Sequence, residues 1–187
     1  LVMPDILLPE NKACLRLPGI DGKAKMSKSL GNCIYLSDSE EEIKKKIMSM
    51  FTDPNHLRVE DPGQVEGNPV FIYLDAFCRD EHFEKYLPDY KNLDELKAHY
   101  TRGGLGDVKV KRFLNNVIQE ELRPIRERRK EFAKDIPAVY RILEEGSIKA
   151  EKKAAQTLAE MKRAMKINYF EDKELIAEQA ERFKSEA

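Results

Sequence analysis

The run Lys25-Met26-Ser27-Lys28-Ser29 places two ammonium groups and two hydroxyls within five residues of a segment that also holds Gly22 and Gly31. Lysine ammonium groups on a loop can reach a polyphosphate and neutralise charge as it develops, while serine hydroxyls and backbone N–H groups add hydrogen bonds. Such donors favour a transition state from which pyrophosphate departs, and one donor aimed at developing charge is worth on the order of 3 kcal/mol. Charge alone describes a solvated basic loop just as well. The order of residues narrows the reading, because a fixed five-residue string arises by chance in a chain of this length on the order of once in ten thousand.

The elements around this run must hold it. Residues 1 to 36 carry Pro4, Pro9, Pro18, Gly19, Gly22 and Gly31 between short apolar patches, which predicts loops with one or two short strands. From Ser37 the pattern becomes helical. Ser37-Asp38-Ser39-Glu40 starts a helix whose apolar positions are Ile43, Ile47 and Met50, stopped at Asp53-Pro54. Asn68-Pro69 supplies a cap and a first-turn proline for VFIYLDAFC, a helix apolar nearly all round and suited to the centre of a bundle. Leu93 to Tyr100 is expected to form a helix closed by Gly103-Gly104. Asp107 is expected to cap a long one through Val110, Phe113, Leu114, Val117, Ile118 and Leu122, kinked or restarted at Pro124. A short helix from Ile136 to Glu145 ending at Gly146, a longer one capped by Ser147 and running through Met165, and an acidic helix over Glu171 to Lys184 complete the expected set.

Composition sets the class. A chain of 187 residues with 41% hydrophobic content can build a core of ordinary domain size, while its apolar runs are far too short to cross a bilayer. Cys14, Cys33 and Cys78 form no CxxC pair and His56, His82 and His99 stand at no metal-ligand spacing, which points to free thiols in a reducing cytoplasm. The opening LVMPDILLPE lacks an initiator methionine and a helix cap, and reads as the tail of an upstream domain.

Lys25 to Ser29 resembles the signature loop of class I aminoacyl-tRNA synthetases, which follows the last strand of a Rossmann catalytic domain and binds ATP phosphates. Further residues resemble the tryptophanyl-tRNA synthetases: Met50-Phe51-Thr52-Asp53-Pro54-Asn55, the run Val65 to Tyr73 reading VEGNPVFIY, Asp75-Ala76-Phe77, Gly106-Asp107-x-Lys109, and Pro124 to Arg129. The resemblance spans roughly residues 15 to 168. It implies a mainly α chain, a helical bundle preceded by a loop-rich remnant of a Rossmann-type α/β domain. Residues 1–36 would be the end of the catalytic domain including the loop, and 37–187 a helical tRNA (anticodon)-binding domain.

By that resemblance Lys28 contacts the leaving pyrophosphate, Lys25 binds the same phosphates, Ser27 and Ser29 hydrogen-bond or shape the loop, and Met26 anchors it against apolar neighbours. The substrates implied are ATP with Mg²⁺, tryptophan and tRNA(Trp), the Mg²⁺ having no dedicated protein ligands here. Gly22 and Gly31 serve as turns or hinges, and Leu15 or Arg16 offers a backbone contact to adenine. Asp75 is expected to pair with a base and pack.

Two basic stretches suit RNA. Lys109 to Lys134 holds nine basic residues against four acids, and Lys149 to Lys166 holds six against two. Arg123, Arg126, Lys149, Lys152 and Lys153 are the tRNA-contact candidates, with Tyr140 and Tyr169 as candidate stacking aromatics. The family's His-Ile-Gly-His type segment and its amino-acid pocket are absent from this sequence. The chain therefore resembles the carboxyl-terminal portion of an enzyme whose full-length form is expected to be a homodimer, with this portion monomeric and inactive alone. The alternatives are a tyrosyl-tRNA synthetase and a noncatalytic helical RNA-binding module with a vestigial loop.

Overall fold

The computed structural model describes residues 2–185. Seven α-helices follow one another along the described chain, α1 (Glu40–Met48), α2 (Pro69–Phe77), α3 (Asp80–Tyr86), α4 (Leu93–Arg102), α5 (Asp107–Ala133), α6 (Ile136–Ala164) and α7 (Lys173–Ser185). The fold is mainly α. Among the described residues there is no strand; the short strands expected before residue 36 are reduced to one antiparallel bridge between Pro18 and Lys25. The prolines there lack the N–H that a ladder needs, and the glycines take turns instead. No helix among the described residues is long and apolar enough to cross a membrane.

Local chemistry accounts for the helix starts. Ser39 closes a capping box, its hydroxyl accepting from the Glu42 amide at 3.2 Å while the Glu42 carboxylate accepts from the Ser39 amide at 2.8 Å. Asn68 accepts from Val70 N–H at 3.1 Å, with Pro69 in the first turn of α2. Asn92 caps α4, and Gly103, at φ 89°, ends it.

Two compact units emerge, one running to Lys130 and the other starting at Glu131. The first holds the core. Val70, Phe71, Tyr73 and Leu74 of α2 are buried together with Ile43 and Ile47 of α1, Phe83 of α3, Leu96 and Tyr100 of α4, and Val110, Phe113, Leu114, Val117 and Ile118 of α5. Ring contacts tie the elements: Phe71 meets Tyr100 at 4.8 Å and Phe83 meets Phe113 at 4.6 Å between centroids. Lys111 of α5 lies buried beneath α1, where its ammonium donates to the carbonyls of Met48 (3.2 Å) and Met50 (2.7 Å). It satisfies one carbonyl in the last turn of α1 and one just beyond its C-cap.

Four expectations change, the first being that α1 ends at Met48 with Ser49 as its C-cap, short of Met50 and Asp53-Pro54. Asp107 begins α5 but does not cap it, because its carboxylate is engaged by the Tyr100 hydroxyl at 2.6 Å and His56 Nδ1 at 3.1 Å. Pro124 neither stops nor restarts α5, although it removes one ladder hydrogen bond. The turn beyond it is anchored by Arg126, whose guanidinium pairs with Glu40 at 3.1 Å. Finally, α6 runs unbroken through Gly146 and Ser147. A glycine in a helix interior costs only about 1 kcal/mol relative to alanine, less than the surrounding helix formers and unbroken hydrogen bonding return. Helix α3 was not expected: only the Arg79 amide, donating to His82 Nδ1 at 2.9 Å, marks its start, and no side-chain cap signals it.

In the second unit, α6 ends with Lys166 at φ 55°, where Lys166 N–H donates to Arg163 O and Ile167 N–H to Lys162 O. This is the Schellman pattern with lysine where glycine is usual. Asp172 then caps α7, its carboxylate accepting from Leu175 N–H at 3.0 Å.

Two outcomes follow from this architecture. Nothing lies within 4 Å of a Cβ built on Gly146, so Gly146→Ala should stabilise the second unit by about 0.5–1 kcal/mol in urea unfolding; a loss of stability would indicate a helix break there. The Glu120 carboxyl, hydrogen-bonded by Lys85 and Tyr86, is held down to about 2. A depressed carboxyl stabilises the folded state above its unfolded value and loses that contribution as pH falls through the folded one. Stability measured from pH 5 to pH 2 should therefore fall less steeply in Glu120→Gln than in the unsubstituted chain.

Candidate active-site loop

Pro18 and Lys25 form the neck of the loop, joined by their bridge and by Gly19 N–H donating to Ala24 O at 2.7 Å. The short excursion between them turns at Gly22, φ 68°. Beyond the neck, Leu30 N–H donates to Ser27 O and Gly31 N–H to Lys28 O, both at 3.2 Å, so the Lys-Ser run closes in a tight turn at Gly31, φ 64°. Both glycines take the left-handed conformation that such turns require.

Helix α2 fixes the neck from beneath. Tyr73 donates its hydroxyl to Pro18 O at 2.8 Å, and Phe51 N–H donates to Ile20 O at 2.9 Å. Burial, with the nearby Cys33 and Asp21, pushes the Tyr73 phenol up to about 12, so it remains a donor at neutral pH. Upstream, Asn11 donates to Asp75 O at 2.8 Å and Cys14 Sγ lies 3.7 Å from Ala76 O, covering the exposed carbonyls at the end of α2. The Asp75 side chain pairs with Lys97.

Asn32 is the polar centre of the loop and is only 4% exposed. Its Oδ1 accepts from Ser27 N–H at 2.8 Å; its Nδ2 donates to Lys25 O at 3.3 Å and to Asp21 Oδ2 at 3.2 Å. Its backbone carbonyl accepts from Ile20 N–H at 3.0 Å. A Cβ at Gly19 would stand 2.1 Å from Asn32 Nδ2, so this approach needs glycine. Burial raises the Asp21 carboxyl, but hydrogen bonds from the Asn32 side chain and the Lys23 and Ala24 amides outweigh it and hold the group below its ordinary value.

The named residues of the loop separate by role. Met26 lines an apolar cavity of about 180 Å³ together with Leu17, Ile34, Tyr73, Phe77, Ile118 and Leu122. Ser27 and Ser29 share a hydrogen bond between their hydroxyls at 2.9 Å, which consumes one O–H and leaves the other free to donate. Lys25 and Lys28 are exposed, and no carboxylate among the described residues pairs with either. Lys25 also borders a cleft of about 260 Å³ with Arg16, Lys23, Pro18, Ala24 and Ile72. Three cations facing one cleft suit an anion.

The RNA candidates divide between the two units. Arg123 is exposed on α5, whereas Arg126 is committed to Glu40 with its side chain 11% exposed. Lys149, Lys152 and Lys153 are exposed in the second unit, spaced three and four apart on α6, as are Tyr140 and Tyr169. Asn32 and Asp21 carry no weight in a reading by motif. A polar residue directly after the Gly31 turn was the available signal, but its burial is a tertiary fact.

The model for tRNA synthetases class I (W and Y) matches residues 3–123. The chain belongs to this family. A class I synthetase relative from Clostridium longisporum, tryptophan–tRNA ligase, is 61% identical over 170 residues, covering 91% of this chain and 47% of its own length. A tryptophan–tRNA ligase of Streptococcus pyogenes serotype M3 is 58% identical over the same share, 48% of its own length. The chain thus spans about half the length of the curated relatives it matches. Crystal structures of tryptophanyl-tRNA synthetase from Campylobacter jejuni superpose at 30% identity and TM-score 0.61, covering 79% of this chain and 43% of that one. The second, complexed with ADP and tryptophan, gives 29% identity, TM-score 0.63, and 80% and 43% coverage. The synthetase loop has one cheap test of its turn. A Cβ on Gly31 meets nothing within 4 Å, so Gly31→Ala should lower stability through backbone strain alone, by roughly 1–2 kcal/mol in thermal unfolding.

Proposed function

We propose that the full-length protein carrying this chain is a tryptophan–tRNA ligase and that the Lys25–Ser29 loop binds the ATP phosphates during tryptophan activation. The observation that carries this is the pair of unpartnered, exposed ammonium groups on a loop whose backbone is fixed from within. In the reaction, the tryptophan carboxylate attacks the α-phosphorus of ATP, the bond to the bridging oxygen breaks, and pyrophosphate leaves. The aminoacyl group then passes to the 3′ end of tRNA(Trp).

Negative charge builds on the leaving phosphates, and Lys28 with Lys25 neutralises it where little reorganisation is needed. The free O–H of the Ser27–Ser29 pair donates to a phosphate oxygen. The donor set is cationic, so it fits the anion; Mg²⁺ would be carried by the phosphates and share their charge. The cleft bordered by Arg16, Lys23 and Lys25 supports the same reading.

Residues 1–36 are read as the end of the Rossmann-type catalytic domain and 37–187 as the helical tRNA-binding domain, with Arg123, Lys149, Lys152 and Lys153 as its phosphate contacts. Arg126 fits that role less well, because releasing it would break its pair with Glu40. The same reading includes a cytoplasmic homodimer joined through the catalytic domain. The names of the reported relatives favour tryptophan over tyrosine, and the intact donor set of the loop favours an enzyme over a noncatalytic RNA-binding module.

The test is ATP-dependent pyrophosphate exchange by the full-length protein with tryptophan and with tyrosine. Exchange should require tryptophan, and Lys28→Ala should reduce kcat at least about a hundredfold with little change in unfolding temperature. Full activity of Lys28→Ala would remove the loop from the chemistry.

A further inference from the structure

Asn32 is buried, makes three side-chain hydrogen bonds to Asp21, Lys25 and Ser27 beside a long one from Cys33 Sγ at 3.8 Å, and lies outside the five residues to which the chemistry above is assigned. Its carboxamide holds the backbone on both sides of Met26: the carbonyl of Lys25 at 3.3 Å and the amide of Ser27 at 2.8 Å. The same NH₂ group donates to Asp21, whose Oδ1 accepts from Lys23 N–H at 3.3 Å. One amide thus joins the first excursion of the segment, at Asp21, to the second, at Lys25–Ser27. Met26, between the two held positions, lines the apolar cavity, and Lys25 has its carbonyl tied directly by the same carboxamide.

We propose that Asn32 is the positioning residue of the phosphate-binding loop, its carboxamide setting the backbone from which Lys25 and Lys28 reach ATP, with Asp21 orienting that carboxamide. Only an amide can fill the role, because the site demands an acceptor for Ser27 N–H and donors for the Lys25 carbonyl and Asp21 together. A carboxylate at 32 would keep the acceptor, lose both donors and face Asp21 as a like charge. Exchanging the two residues restores one donor between them while leaving the Lys25 carbonyl without its partner. This inference rests on the reading of the loop as an ATP-phosphate site, since the positioning matters for catalysis only there.

Asn32→Asp, Asp21→Asn and the double substitution, each in the full-length protein, form a cycle with two readouts. The first is pyrophosphate exchange, with kcat/KM for ATP and KM for tryptophan determined separately. The second is the rate of trypsin cleavage after Lys25 and Lys28, followed by mass spectrometry. Asn32→Asp should lower kcat/KM for ATP at least tenfold, leave KM for tryptophan within twofold, and speed loop cleavage severalfold. The double substitution should recover part of each loss, because the side-chain hydrogen bond between positions 21 and 32 returns while the Lys25 carbonyl stays without its donor. Asn32→Asp within twofold of the unsubstituted protein in both readouts, or a double substitution no better than Asn32→Asp alone, overturns the proposal. If the unsubstituted protein exchanges pyrophosphate with neither amino acid, the functional reading fails, and the cleavage cycle still decides whether Asn32 holds the loop.

Discussion

Helix α2 has almost no polar face, and a nine-residue helix of that kind is stable in water only when other elements enclose it. Helices α1, α3, α4 and α5 place their apolar stripes in the same core, and the start of the chain covers the last carbonyls of α2 through Asn11 and Cys14. The outer ties of the Lys25–Ser29 segment depend on this enclosure. Tyr73, which ties down Pro18, stands beside Phe71 and Leu74 of the core, and Met26 lines a cavity shared with residues of α2 and α5.

The loop itself is built on a different principle. Its interior is polar, with one carboxamide satisfying backbone groups that a strand or helix would otherwise pair. Buried polar groups of this kind are costly unless every donor and acceptor is met, and around Asn32 they are met on each side. The result is a hydrogen-bonded backbone carrying two ammonium groups that pair with no carboxylate among the described residues. That separation of a fixed frame from free charge suits a site that must wait for an anion.

The two compact units contrast in burial. No described residue of the second is buried, whereas the first contains the whole core. α6 and α7 owe their form to long helical hydrogen bonding, local caps at Asp135 and Asp172, and the turn at Lys166.

Much was legible in the sequence because it is local. The Ser39 capping box, the Asn68-Pro69 start, the Gly103 stop and the periodic apolar positions of α5 depend on residues within a turn or two, and each stands where the pattern places it. The loop was also legible, since its residue types follow one another without a gap. Propensity misled where a single residue opposed a long cooperative helix, at Gly146 and in the restart expected at Pro124, because one local penalty is small beside many continuous hydrogen bonds. Asp107 misled for another reason: Tyr100 and His56 compete for its carboxylate, and neither is its sequence neighbour. What only the tertiary structure decided are the long-range pairings: Arg126 with Glu40, Lys111 under α1, Tyr73 on Pro18, and the cavity that Met26 lines with side chains from α2 and α5. The sequence by itself determined the helices and the charged loop through short-range sterics and hydrogen bonding; the position of that loop depends on contacts between residues tens of positions apart, which exist only once the core has closed.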